Sequence, residues 1–300
     1  MTVAPCLQAP AARQRSVQHA CCNEIARAAV RSLYDELSLY PKPGLVSPVD
    51  NGSHDDMDAA TFMRSLFSLR RYFFRIALAG AAGAPFTELK QLGISAERRM
   101  LAATGGVNTH RGAIFSLGML CAAAGRCRAS GLPPTAGAVR AMLLREWGTA
   151  LAAHADADAG GASHGLAMAA RHGASGAREE AALGMPSVFG IALPALQRAH
   201  AQTGCWERAR IEALFALMAH VSDTNVYYRG GAAGAALVRG LAQRFIERGG
   251  VLRADWLRHA IACHRIFSRR RLSPGGAADL LAAACLLHRL ERDLQGGEHR

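Results

Sequence analysis

Apolar residues along this chain recur at intervals of three and four and almost never alternate. Between 57 and 80, Met57, Phe62, Leu66, Leu69, Phe73 and Ile76 follow that spacing, which puts them on one face of a helix. Segments 17–39, 57–80, 86–103, 112–129, 135–154, 163–172, 186–202, 206–221, 230–248, 254–268 and 274–293 are rich in Ala, Leu and Arg, all strong helix formers. Alternating Val, Ile and Thr runs are nearly absent, so no sheet is predicted. Breakers fall where helices should stop: Pro41 and Pro43, Pro85, Gly105–Gly106, Pro133–Pro134, Gly160–Gly161 and Gly249–Gly250. Ser273–Pro274 reads as a helix start, with Ser as N-cap and Pro in the first turn. No linker stands out and no solenoid period is visible. The expectation is an all-α fold, a single compact multi-helix domain over 17–293 with its polar loops gathered at one end. A flexible N-terminal segment (1–16) and a flexible C-terminal tail (294–300) would flank it.

Composition narrows the function classes. Half of the 300 residues are hydrophobic and 19% are charged, enough apolar material for a substantial core and against disorder. The net charge is +12. Nucleic acid could explain it, and so could a polyanionic small-molecule substrate. The arginines are dispersed, with a run only at Arg269–Arg271, and aromatic residues make up 6%. Without basic–aromatic alternation, nucleic acid is the weaker explanation. The eight cysteines form no CxxC pair and read as buried thiols of a reducing cytoplasm. The N-terminus lacks a secretory pattern and no stretch reaches the roughly 18 apolar residues of a membrane span. A soluble cytoplasmic protein is expected, and a homodimer is left open.

The chemistry is concentrated in four polar clusters. Residues 40–58, YPKPGLVSPVDNGSHDDMD, pack Lys42, His54 and the carboxylates Asp50, Asp55, Asp56 and Asp58 between apolar stretches. Asp in a first helical turn is favoured by the helix dipole alone, but the set as a whole suits Mg²⁺, which keeps several waters and bridges to phosphates. Asp50 and Asp56 are the candidate ligands. GGVNTHRG (105–112) matches no nucleotide fingerprint, yet it places Asn108, Thr109, His110 and Arg111 at a helix N-terminus. Free N–H groups and a guanidinium there can bind an anion, though Asn108 or Thr109 could be a simple cap. In GAREEAALGMPSV (176–188), Arg178 and Glu180 could be an exposed pair on a short helix. In DTNVYYRGG (223–231), Asp223, Asn225 and Arg229 join a carboxylate, an amide and a cation, with turn capping as the plainer reading. HADADAGGASHG (154–165), with His154, Asp156, Asp158 and His164, reads as an Ala/Gly loop.

Taken together, PKPGLV (41–46), DNGSHDDM (50–57), GVNTHRGAIFSLG (106–118), GAREEAALGMPSV, DTNVYYRGG and SPGGAADLL (273–281) resemble the triphosphoribosyl-dephospho-coenzyme A synthases, in that family's order. The resemblance implies an all-helical enzyme that transfers the triphosphoribosyl group of ATP to the 2′-hydroxyl of 3′-dephospho-CoA and releases adenine. The product would be the prosthetic-group precursor of an acyl carrier protein, passed on to a holo-acyl-carrier-protein synthase. GSHDDMDAATFMRSLFSLRRYF (52–74) and GAREEAA (176–182) look more like the malonate decarboxylase branch than the citrate lyase one. Arg111 stands where many relatives carry Lys, a planar fork in place of a point charge. Glu180, not Glu179, matches the family's carboxylate.

Such a transfer inverts the anomeric centre through an oxocarbenium-like transition state. It needs a proton acceptor, an acid for adenine, and cations for the triphosphate. The resemblance carries Asp223, Glu180, His54 and His110 into the acid/base roles, without ordering them. It carries Lys42, Asn108, Thr109, Arg111, Arg178, Asn225, Arg229, Ser273, Gly275 and Gly276 into substrate binding, and Asp50 and Asp56 into holding Mg²⁺. Two other readings stay open: a Mg²⁺-dependent nucleoside or ADP-ribose hydrolase, and a basic helical nucleic-acid-binding module.

Overall fold

A computed structural model describes residues 8–156 and 176–297. Every regular element among the described residues is helical, as the periodicity predicts. The elements run α1 (Gln8–Leu37), α2 (Ala59–Ser68), α3 (Arg70–Ala81), α4 (Phe86–Ala103), α5 (Arg111–Ala129) and α6 (Ala136–Asp156), then α7 (Ala177–Ala182), a π-turn (Val188–Ala192), α8 (Leu193–Thr203), α9 (Trp206–His220), α10 (Thr224–Glu247), α11 (Trp256–Arg269) and α12 (Gly275–Gly297). The helix expected over 163–172 and part of the 154–165 cluster lie outside the described residues.

Some boundaries differ from the expected ones for identifiable reasons. The stretch 57–80 breaks at Leu69 into α2 and α3, and α2 is capped by Asp58, whose carboxylate accepts the Thr61 N–H. The first helix starts at Gln8 and the last reaches Gly297, both beyond the expected bounds. DTNVYYRGG is not a loop: Asp223 caps α10 and the next residues form its first turns. Gly231, at φ 58° and ψ −161°, kinks that helix, a conformation open only to glycine.

Helix α5 is the hub. It is buried along most of its length and packs against α1, α3, α4, α6 and α12, which is why its apolar residues run all round the helix. Its approach to α3 is close enough to require glycine on both sides. A Cβ on Gly80 would lie 2.2 Å from the Ala122 carbonyl oxygen, and one on Gly125 would lie 2.1 Å from that of Ala77. α12 is likewise buried over Leu280–Leu287 and packs on α1, α5 and α9. Together α5 and α12 form an apolar axis whose N-terminal ends carry polar motifs.

Candidate active site

The loop from Leu39 to Asp58 is held by packing its backbone against the chain just before α12. Gly44 has φ 70°, and a Cβ there would lie 2.0 Å from the Leu272 carbonyl oxygen, so only glycine fits. The buried Ser53 hydroxyl donates to that same oxygen at 2.6 Å. Asp50 accepts the Gly52 N–H at 2.9 Å and faces His264 Nε2 at 3.0 Å, while His264 Nδ1 faces the Lys42 carbonyl at 2.7 Å. Lys42 was expected to offer its ammonium to a phosphate. It is instead 1% exposed and lies 2.5 Å from Glu36 Oε1 at the end of α1. Burial lowers its pKa, and Glu36 acts in the opposite direction.

His54 joins this loop to two other motifs. Its Nε2 is 2.8 Å from the Ser273 hydroxyl, and its Nδ1 is 3.1 Å from an Arg229 nitrogen that also reaches toward the Ser53 carbonyl through the other arm of the guanidinium. A guanidinium only donates, so Nδ1 is the acceptor and Nε2–H donates to Ser273. Burial, then the Arg229 charge, lowers the His54 pKa against the pull of Asp56. His54 is a neutral ring of fixed tautomer that links 52–54 with 229 and 273.

Three helix N-termini meet beside it. At α10, the buried Asp223 accepts its own helix's Asn225 N–H at 2.9 Å and the Ala277 N–H of α12 at 3.0 Å. Burial raises its pKa against these N–H donors. Asn225 is exposed near Gly275, and Gly276 lies against the Asp223 carboxylate. At α5, a Cβ on Gly112 would lie 2.1 Å from Asp279 Oδ2, and Asp279 accepts the Ala113 N–H. Asn108 caps the Arg111 N–H at 3.2 Å, and Arg111 forms an ion pair with Glu97 at 2.5 Å. The Thr109 hydroxyl donates to Ser65 at 2.7 Å, and Ser65 lies 2.6 Å from His110 Nδ1. His110 is 2% exposed and its Nε2 has no hydrogen-bond partner. Burial, with the Lys42 charge, pushes its pKa down to about 3.

The fourth cluster stands differently. α7 packs on α5 and α6. Glu180 is not the exposed partner of Arg178: it is buried and accepts from the Ser187 hydroxyl at 2.5 Å and the Ser187 N–H at 3.2 Å. Those bonds tie α7 to the following turn. Asp56 is 60% exposed, 3.5 Å from His54. Among the described residues no three His, Cys, Asp or Glu side chains converge as metal ligands.

The polar motifs at 42–54, 108–113, 223–229 and 273–279 thus come from separated parts of the chain to one place. A family model described as ATP:dephospho-CoA triphosphoribosyl transferase matches residues 22–297. The chain belongs to this family of transferases. It is 41% identical over 264 residues to an Acinetobacter calcoaceticus protein named "Probable 2-(5″-triphosphoribosyl)-3′-dephosphocoenzyme-A synthase", covering 88% of this chain and 90% of that one. Proteins named 2-(5″-triphosphoribosyl)-3′-dephosphocoenzyme-A synthase are also similar. The one from Klebsiella pneumoniae is 39% identical over 292 residues, covering 92% and 94% of the two chains. The one from Pectobacterium atrosepticum is 39% identical over 275 residues, covering 88% of each. No solved structure matches the chain.

Within this transferase the sequence motifs mark most of the assembled residues. They miss Glu36 and His264, which lie on regular helices, and Ser65, which anchors His110. Asp279 lies inside SPGGAADLL and is recognisable there only by its motif, since its neighbours are apolar.

Proposed function

We propose that this transferase moves the triphosphoribosyl group of ATP onto the 2′-hydroxyl of 3′-dephospho-CoA, releases adenine, and serves malonate decarboxylase. The observation that carries the reading is the meeting of the α5, α10 and α12 N-termini beside Arg229, His54 and Ser273. The Arg229 guanidinium, held there by Ser53 and His54, suits a polyanionic substrate. The strongly basic composition, +12, points the same way. The likeness of 52–74 and 176–182 to the malonate decarboxylase branch supports that destination, and the product would pass to a holo-acyl-carrier-protein synthase.

Mg²⁺ fits the donor set in a limited sense. Asp56 is an exposed carboxylate beside His54, and Asp50 is partly exposed but already engaged by Gly52 and His264. One or two carboxylates with water and substrate phosphates are what Mg²⁺ ordinarily uses. When bound it would neutralise triphosphate oxygens. The chain's own residues supply the rest: Arg229 offers a cation held in place by the Ser53 carbonyl and His54.

Incubation with ATP, Mg²⁺ and dephospho-CoA, followed by chromatography, should show adenine and the triphosphoribosylated product in equal amounts. Adenine release from ATP alone at the same rate would indicate a hydrolase. Salt-sensitive oligonucleotide binding without adenine release would indicate a nucleic-acid-binding module. Attachment of the product to the malonate decarboxylase carrier protein, compared with the citrate lyase one, tests the branch.

A further inference from the structure

Three carboxylates share one region: Glu36 from α1, Asp223 from the cap of α10, and Asp279 from the first turns of α12. The charges of Glu36 and Asp223 both act on Asp279. Their compensation is unequal. Glu36 has Lys42 at 2.5 Å. Asp223 accepts N–H groups from Asn225 and Ala277. Asp279 accepts the Ala113 N–H, and among the described residues no cation pairs with it. Glu36 and Asp223 are buried, whereas Asp279 keeps partial contact with solvent. It is the least enclosed of the three by surface exposure, although its carboxylate lies packed against the first turn of α5. The α5 backbone also makes room for it, because any side chain at Gly112 would occupy the position of Asp279 Oδ2.

A second observation concerns the same end of α5. His110 begins α5, two residues before Gly112, and is buried with Nε2 unpartnered. Its Nδ1 is held toward Ser65, so Nε2 faces away from that serine, within the field of Lys42. A buried polar atom without a protein partner calls for one from elsewhere. Dense surroundings and two neighbouring carboxylates hold the Asp279 carboxyl well above the usual carboxylate range. Like charges packed this closely do not all ionise, and the least compensated one keeps the proton.

Resting on the proposed reaction, we infer that Asp279 is its general acid and delivers a proton to N3 or N7 of the departing adenine. The C1′–N9 bond of the ATP ribose breaks and its electron pair stays on the base, which leaves as neutral adenine carrying the Asp279 proton. The acceptor's 2′-oxygen forms the new bond to C1′, and its hydroxyl proton passes to water. Asp279 then takes a proton back from solvent, so the cycle consumes none. Glu36, paired with Lys42, and Asp223, held by N–H donors, flank Asp279.

The test uses the full chain with ATP, 7-deaza-ATP and 3-deaza-ATP as donors. D279N should bind ATP as the wild type does, melt at a similar temperature, and lose about 10²- to 10⁴-fold in kcat, the usual size of a general-acid contribution. Wild-type kcat should fall as pH rises through the Asp279 titration, and D279N should lack that limb. The deaza analogue that removes the protonated nitrogen should be slow with the wild type, and D279N should cost it little more. An equal D279N penalty on all three donors overturns the inference. So does a wild-type enzyme that turns over both analogues as fast as ATP, and that arm needs no variant to fold. Failure of the wild type to release adenine with dephospho-CoA would instead overturn the proposed function.

Discussion

Replacing Lys42 by methionine should destabilise the protein rather than simply weaken substrate binding. The ammonium is 1% exposed, its partner Glu36 is 6% exposed at the side chain, and the two are 2.5 Å apart. Exposed ion pairs contribute only about 0–1 kcal/mol, but neither group here meets water. Removing one partner of a buried pair leaves the other uncompensated and costs about 3–5 kcal/mol. Here the stranded Glu36 would also lie near Asp279. Against a whole-domain stability of about 5–15 kcal/mol, K42M should be marginal at 37 °C. Urea denaturation followed by circular dichroism at pH 7 measures the loss. The E36Q/K42M double variant should recover most of it, since no charge is left stranded. A K42M midpoint equal to the wild type's would refute the buried-pair argument. So would a double variant as unstable as the sum of the two single losses.

Gly80→Ala and Gly125→Ala should each cost about 1–3 kcal/mol through overpacking, read as a lowered melting temperature. Unchanged melting would mean α3 and α5 can move apart. Acid should destabilise the fold through His110, whose pKa drops from 6.5 to about 3 on folding. A depressed folded pKa means stability present above about pH 6.5 is lost as pH falls toward 3. His110→Gln should flatten that part of the stability–pH curve, and an identical slope would contradict it. Arg229→Ala should raise the KM for ATP or dephospho-CoA about 10- to 150-fold, from a charge-assisted contact of about 1.5–3 kcal/mol. It should also free His54 Nδ1, changing the ring's ¹⁵N chemical shifts. An unaltered KM together with unaltered shifts would remove Arg229 from the site.

The helices were legible because most of them bury one face, and Met57 to Ile76 display that face at regular intervals. The break at Leu69 was not, since Leu69 is itself apolar and buried and nothing there marks an end. Gly230–Gly231 looked like a helix start, yet Asp223 supplies the cap and the helix passes through the glycines with a kink. The loop motifs of the site could be read because prolines and glycines do not build cores. Glu36 could not, because it lies near the end of a helix, where one carboxylate looks like any solvated residue, and Asp279 could be found only through its motif. Whether such a group is buried depends on helices that arrive from elsewhere in the chain. Lys42 shows the same limit in reverse: its loop was found, but its partner Glu36, six residues earlier, decides what its charge does.

The contacts of Asp223 with Ala277, Ser273 with His54 and Asp279 with α5 have a consequence for the protein during its synthesis. The loop around Lys42 leaves the ribosome more than 200 residues before Ser273 and Asp279. At about 5–20 residues per second, the delay between them is on the order of tens of seconds. Once Asp156 has emerged α1 to α6 can pack, but the region around Gly44 and His54 still lacks the strip of chain that closes it. A nascent chain therefore lacks the finished site until α12 docks.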